Sequence, residues 1–268
     1  MTKHATAGED SADVLGPLAS NWNAMAELDP LWAILSDPHK KFGGWSPAEF
    51  FRDGEREAKR VVGMCNAIGL VFSYGRMLDF GCGAGRMTRA FSQYFSSCVG
   101  IDVSGKMIDL ARKFNADRPN CKFVSSASAA LPFDEAAFDF VFSVLVLQHL
   151  PEKSMILGYI SEFLRVVKDG GVAVFQLTNE VPFRNRVQGR RRLWSLLALL
   201  GIPKSWLFKM FGLSPIRMNG VSRGEVENHI GGLGGKVKAV ERYDPNEGLY
   251  HSYYYFVVKG HRPPGAEN

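Results

Sequence analysis

The sequence predicts an α/β fold: a doubly wound, seven-stranded sheet, mostly parallel, closed by an antiparallel C-terminal hairpin. Three observations carry this. Short apolar runs alternate with helix-compatible segments from Met77 to Thr178, as expected for parallel strands covered on both faces. A glycine cluster, Gly81, Gly83 and Gly85, interrupts the chain directly after the first run and before a helical segment. Two β-rich runs then follow one another near the end of the sequence with no helix between them.

The 268 residues are 46% apolar, enough for one sizeable core. Cys65, Cys82, Cys98 and Cys121 lack the CxxC spacing of a zinc site and do not form a disulfide frame, so a reducing cytoplasmic setting is expected. The polar start, MTKHATAGEDSAD, has no signal-peptide apolar region, and no run of about 20 apolar residues suggests a membrane span. The net charge of +5 is uneven. Nine basic residues and no acidic one lie between Val181 and Gly224, and the rest of the chain has 23 basic and 27 acidic residues. The basic character belongs to one segment, and nucleic acid is not an expected partner.

Residues 1–17 are expected to be a flexible tail, 18–70 a helical cover, 71–260 the sheet domain with an insert at 181–220, and 261–268 a second tail. Within the cover, Ser46 and Pro47 suit the N-cap and first position of a helix that runs to about Ile68. Its inner face carries Phe50, Phe51, Ala58, Val61, Val62 and Cys65, while Gly54 weakens it. Strands are expected at 77–80, 98–103, 122–125, 138–143 and 172–178. Helices fall near 86–94, 104–114 and 152–167, and Lys168 to Gly171 form a turn. After the insert come a helix at 222–230 and the strands 236–243 and 252–259, read as an antiparallel pair at one sheet edge.

The glycine run is not that of a dinucleotide fold, which places glycines as G-x-G-x-x-G. Here the third glycine comes one position early, Arg86 stands at the last position, and Asp79 precedes the first glycine by two. The sequence DFGCGAGR, with Asp102 ending the next strand, resembles the Rossmann-like class I S-adenosylmethionine-dependent methyltransferase family. LPFDEAAFDFVFSVLVLQHLP and LRVVKDGGVAVFQ are similar to later motifs of its small-molecule branch. The resemblance covers Met77 to about Thr178 and implies S-adenosyl-L-methionine as cofactor.

On that resemblance, Asp79, Gly81 and Gly83 serve the amino-acid end of the cofactor, Phe80, Cys82 and Arg86 are further cofactor-binding positions, and Asp102 takes the ribose hydroxyls. Asp102 has a competing role as a cap for the helix beginning at Ser104. Val103 and Met107 are expected to pack on the adenine, and Ser143 and Val144 beside the methionine part. The family usually carries an acidic residue before a small one after the third strand; the matching positions are Ala127 and Ser128, a departure.

Methyl transfer to a hydroxyl benefits from a general base. His149 is the best-placed candidate and His251 the second; a packing role competes for His149. No cluster of acidic side chains suggests a metal. In the insert, Leu193 to Leu200 is too uniformly apolar for a solvent-facing helix. Either it is a packed lid with solvated arginines, or it binds an anionic or amphiphilic substrate or a headgroup surface. The expected activity is methyl transfer to a small molecule at oxygen, without metal. A lipid or lipid-linked glycan acceptor, and a non-catalytic cofactor-binding protein, are the alternatives.

Overall fold

The computed structural model describes residues 9–181, 187–243 and 251–260. Five parallel strands form the frame: β1 (Arg76–Phe80), β2 (Ser97–Asp102), β3 (Cys121–Ser125), β4 (Phe138–Ser143) and β5 (Val167–Glu180). The hairpin strands β6 (Gly235–Tyr243) and β7 (His251–Lys259) complete a seven-stranded sheet of order β3-β2-β1-β4-β5-β7-β6. The hairpin is antiparallel as expected, and β7 lies inside the sheet, antiparallel to both β5 and β6. Composition explains which strand goes inside: Tyr254, Tyr255, Phe256 and Val257 are all buried, whereas β6 carries Lys236, Lys238, Glu241 and Arg242. The turn expected at Lys168–Gly171 is absorbed into β5, where pairing with β4 skips from Val167 to Val172. Gly171 permits the skip, because a Cβ there would stand 2.9 Å from the carbonyl oxygens of Asp139 and Lys168.

Alternation along the strands splits the core in two. Tyr254 and Phe256 join Phe140, Phe142, Phe91 and Phe95 on one face. Tyr255 and Val257 join Phe175, Phe163 and Phe80 on the other. Helices α3 (Pro47–Ala67) and α4 (Arg86–Phe91) cover the first face; α6 (Lys153–Val166) and α9 (Arg223–Gly232) cover the second. Between α4 and α6, α5 (Gly105–Phe114) links β2 to β3. Helix α3 begins with a capping box in which Ser46 Oγ accepts from Glu49 N–H and the Glu49 carboxylate accepts from Ser46 N–H. Gly54 does not weaken α3: a Cβ would lie 2.7 Å from Arg86 Cγ and 2.9 Å from Arg86 O, so the missing side chain lets α3 and α4 meet.

Two regions differ from expectation. Helix α1 spans Glu9–Leu28, so the stretch read as a tail is helical from residue 9, and Leu15 is buried. Gly16 and Pro17 lie inside the helix. Helix α2 (Pro30–Ile34) follows directly. In the insert, α7 (Gly189–Leu199) and α8 (Lys204–Phe211) form a helical hairpin. The Leu193–Leu200 run, read as too apolar for solvent, buries only Trp194; Leu196, Leu199 and Leu200 are exposed. Arg184 and Arg186, and the loop from Asp244 to Tyr250, lie outside the described residues.

Candidate active site

A cavity opens at the carboxyl ends of β1, β2 and β4. In open α/β sheets ligands bind at this end, where the strand order reverses. The reversal here is at β1, which has β2 on one side and β4 on the other.

The floor is the loop after β1. Gly81 and Gly83 adopt positive φ, 73° and 51°. A Cβ on Gly81 would collide with Val146 Cγ2 at 2.2 Å, and one on Gly83 with Ile34 Cδ1 at 2.6 Å. Both glycines line the cavity. Asp102, ending β2, anchors this loop: one carboxylate oxygen accepts from Gly83 N–H at 2.9 Å and the other from Ser104 N–H at 2.8 Å. Ser104 Oγ in turn accepts from Met107 N–H at 3.2 Å, so it is the N-cap of α5. Asp102 therefore both supports the helix start and faces the cavity. Two carboxylate oxygens have about four acceptor sites, which leaves capacity for ligand hydroxyls. Burial pushes the Asp102 carboxyl above the usual range, and the backbone donors oppose the shift.

Phe80, Val103, Met107, Ser128 and Val144, all expected at the site, line the cavity. Ser126 lines it too, and the exposed Ala127 between it and Ser128 does not. Ser143 is fully buried and its hydroxyl has no hydrogen-bond partner among the described residues. Ser143, expected beside the ligand, is not among the residues that line the cavity. Asp79 lies behind the lining. It is 2% exposed, and one of its oxygens accepts from Thr88 Oγ at 2.6 Å. Burial raises its pKa to about 6, against the opposing effects of the Thr88 bond and the Arg86 charge. Cys82 is also buried behind the loop, with burial pushing its thiol well up.

Arg86 does not reach the cavity lining. Its guanidinium turns toward α3 and pairs with Asp53 at 2.8 Å, above the Phe50 ring. Only the tertiary contact across 33 residues reveals this.

His149 closes the wall opposite Asp102, in the loop after β4. Its Nδ1 lies 2.6 Å from the carbonyl oxygen of Arg217. A carbonyl only accepts, so Nδ1 carries the proton and the neutral ring keeps a lone pair on Nε2. Burial lowers the His149 pKa, which holds the ring neutral near pH 7. Trp22 of α1 packs edge-on against this ring at 5.4 Å. The segment before α9 is tied to the same loop by Asn219, which donates to the carbonyls of Leu150 and Pro151. His251 is elsewhere: it begins β7, exposed, with Nδ1 3.3 Å from the Arg242 guanidinium.

Sequence reasoning missed three contributors. Leu15, Leu18 and Trp22 bring α1 over the cavity. Ile34 of α2 seats on the glycine loop. Tyr159 of α6 packs on Phe80 at 4.6 Å and donates to the carbonyl of Ser128 at 2.9 Å, fixing the loop after β3. Leu15, Leu18 and Trp22, spaced by three and four, were a detectable helical stripe. A second cavity shares Leu18, Trp22 and His149 with the first and is lined further by Pro215, Ile216 and Arg217.

Comparison with known proteins agrees with this geometry. Residues 78–175 match the family model described as a methyltransferase domain. The chain is similar to 2-methyl-6-phytyl-1,4-hydroquinone methyltransferase of Synechocystis, 34% identical over 37% of this chain and 30% of that one. It is also similar to 24-methylenesterol C-methyltransferase 2 of Oryza sativa, 30% identical over 58% and 44% of the two chains. The chain thus spans less than half the length of these curated relatives. Among solved structures, magnesium protoporphyrin IX methyltransferase from Synechocystis with bound SAM shares the fold at TM-score 0.60 and 17% identity, covering 97% of this chain and 100% of that one. Residues 78–175 thus resemble a methyltransferase domain, and the seven-stranded sheet has the fold of S-adenosylmethionine-dependent methyltransferases of known structure.

Proposed function

We propose that the protein transfers the methyl group of S-adenosyl-L-methionine to a small-molecule acceptor at oxygen, without a metal. One observation carries the reading: a single cavity holds the glycine loop and Asp102 on one side and His149, with an unprotonated Nε2, on the other. Gly81 and Gly83 leave backbone exposed where a Cβ would obstruct a ligand, and Asp102 keeps acceptor sites for ribose hydroxyls. Val103 and Met107 supply an apolar wall for the adenine. The cofactor supplies an electrophilic methyl group. The protein's part is to align an acceptor oxygen with it, exclude water and accept the proton released. Trp22, Leu15 and Leu18 exclude water, and His149 Nε2 is the proton acceptor.

The acceptor would occupy the second cavity, which meets the first at His149. Its lining of Pro17, Leu18, Trp22, Met25 and Ile216 beside Arg217 favours a second reading within the same chemistry, an amphiphilic acceptor such as a prenylated ring or sterol. The acceptors named by the two curated relatives support that class. Calorimetry with S-adenosyl-L-methionine and with its demethylated product, then intact-mass screening of hydroxylated small molecules and lipid extracts, tests the proposal. Binding of the cofactor with transfer to none of these acceptors would favour the non-catalytic alternative. Binding of neither compound would overturn the cofactor assignment.

A further inference from the structure

The α7–α8 hairpin presents its apolar residues outward. Trp194 is the buried anchor of α7, and the opposite stripe is Arg192, Leu196 and Leu199, spaced by four and three. Leu199 is 84% exposed and Leu200, at the tip, 69%. In α8, Leu207 and Phe208 face inward, while Trp206 and Met210, four apart, face outward with Lys209 beside them. An exposed apolar patch of this kind on a folded protein marks a contact surface.

The hairpin is held in this form. Trp194, Leu207 and Phe208 share a small core with Met25 of α1, and Arg190 donates to the carbonyl of Gly212 at 3.0 Å, closing the two helices together. The apolar face therefore does not result from a loose segment.

Charge identifies the occupant. The exposed cations Arg192, Lys204 and Lys209 border the patch, and no acidic residue occurs anywhere between Val181 and Gly224. A second copy of this surface would bring these cations against their own kind. A protein groove would need acidic rims, whereas an anionic bilayer offers both hydrocarbon for the leucines and phosphate for the cations. We propose that the α7–α8 hairpin is a peripheral docking surface for anionic membranes, inserting Leu196, Leu199, Leu200 and Trp206 at the headgroup boundary. The same hairpin touches α1, which roofs the cavity, so docking would place the acceptor entrance beside the membrane. The docking claim stands apart from methyl transfer.

The test is co-sedimentation of the full chain with phosphatidylglycerol-containing vesicles and with pure phosphatidylcholine vesicles, with tryptophan emission read in parallel. The expected result is binding to anionic vesicles with a blue shift of Trp206, and far weaker binding to neutral ones. Each cation near the surface is worth about fivefold in binding, so Arg192→Gln with Lys209→Gln should weaken it roughly 25-fold. Leu196→Ser with Leu199→Ser should weaken it at least tenfold. Both pairs are exposed and spare Arg190, so thermal stability and cofactor calorimetry should be unchanged. No sedimentation with either vesicle would overturn the proposal, as would a concentration-dependent dimer abolished by Leu199→Ser. Loss of cofactor binding with vesicle binding intact would strike the proposed chemistry and leave the docking surface standing.

Discussion

The two sides of the cavity are built on opposite principles. On the glycine-loop side, position is fixed by backbone. Gly81 and Cys82 N–H both donate to the Ile101 carbonyl, Gly83 N–H to Asp102, and the added Cβ atoms have nowhere to go. On the cover side, position is fixed by side chains from distant segments: Leu15, Trp22 and Ile34 from the N-terminal helices, and the Arg217 carbonyl that orients His149. The first arrangement suits a ligand of constant shape. The second can change with the acceptor while leaving the first untouched. Substitutions on the two sides should therefore separate cofactor affinity from turnover.

His149→Gln gives the sharpest separation. It should lower kcat by about 10²- to 10⁴-fold, the usual share of a general base, with cofactor affinity by calorimetry unchanged. In the parent protein the acid limb of the rate profile should fall below about pH 6.5, because burial lowers this imidazole. A variant that keeps full turnover would make His149 a packing residue only. Asp102→Ala acts on the opposite side. It removes the proposed acceptor of the ribose hydroxyls, and at about 1.5–3 kcal/mol for each of two hydrogen bonds to a charged group the cofactor should bind at least about 10²-fold more weakly; the unpaired Gly83 and Ser104 N–H groups should also lower the melting temperature.

Asp79 provides a stability readout for the same side. Its folded-state pKa of about 6 exceeds an unfolded value of about 3.9. Between those values the native state holds the extra proton, so this carboxyl makes the ligand-free protein less stable as pH rises from about 4 to about 6. The full effect is about 3 kcal/mol. Urea unfolding should show Asp79→Asn stabilised over the parent at pH 7 and level with it near pH 4. An equal offset at both pH values would remove the titration of Asp79 as the cause. Gly54→Ala is the smallest change, about 1–3 kcal/mol of overpacking where α3 meets Arg86. It should appear in the melting temperature with little effect on either function.

The same contrast explains what was legible in the sequence. The glycine-loop side is local: Asp79, Gly81, Gly83 and Asp102 fall within two strand ends, and burial on both faces makes the strands themselves plain apolar runs. The cover side is nonlocal. Nothing near residue 15 announces contact with a loop at residue 149. Arg86 was misplaced for the same reason, since Asp53 that holds it belongs to α3. The uniform leucines of α7 were read as too apolar to face solvent, and the structure instead exposes most of them. Sequence could not separate burial in the protein from display at its surface, because the anchor, Trp194, is one residue among them.

The inside position of β7 has a consequence for how the molecule is made. Strand β6 leaves the ribosome before β7, yet among the described residues it pairs only with β7. Until His251 to Lys259 emerge, β5 offers an open edge and β6 has no place in the sheet. Through the synthesis of the α7–α8 hairpin and α9, β5 keeps that edge unpaired. A release or stall just before residue 251 would yield a chain with a complete glycine loop and an unpaired strand edge, prone to association rather than catalysis.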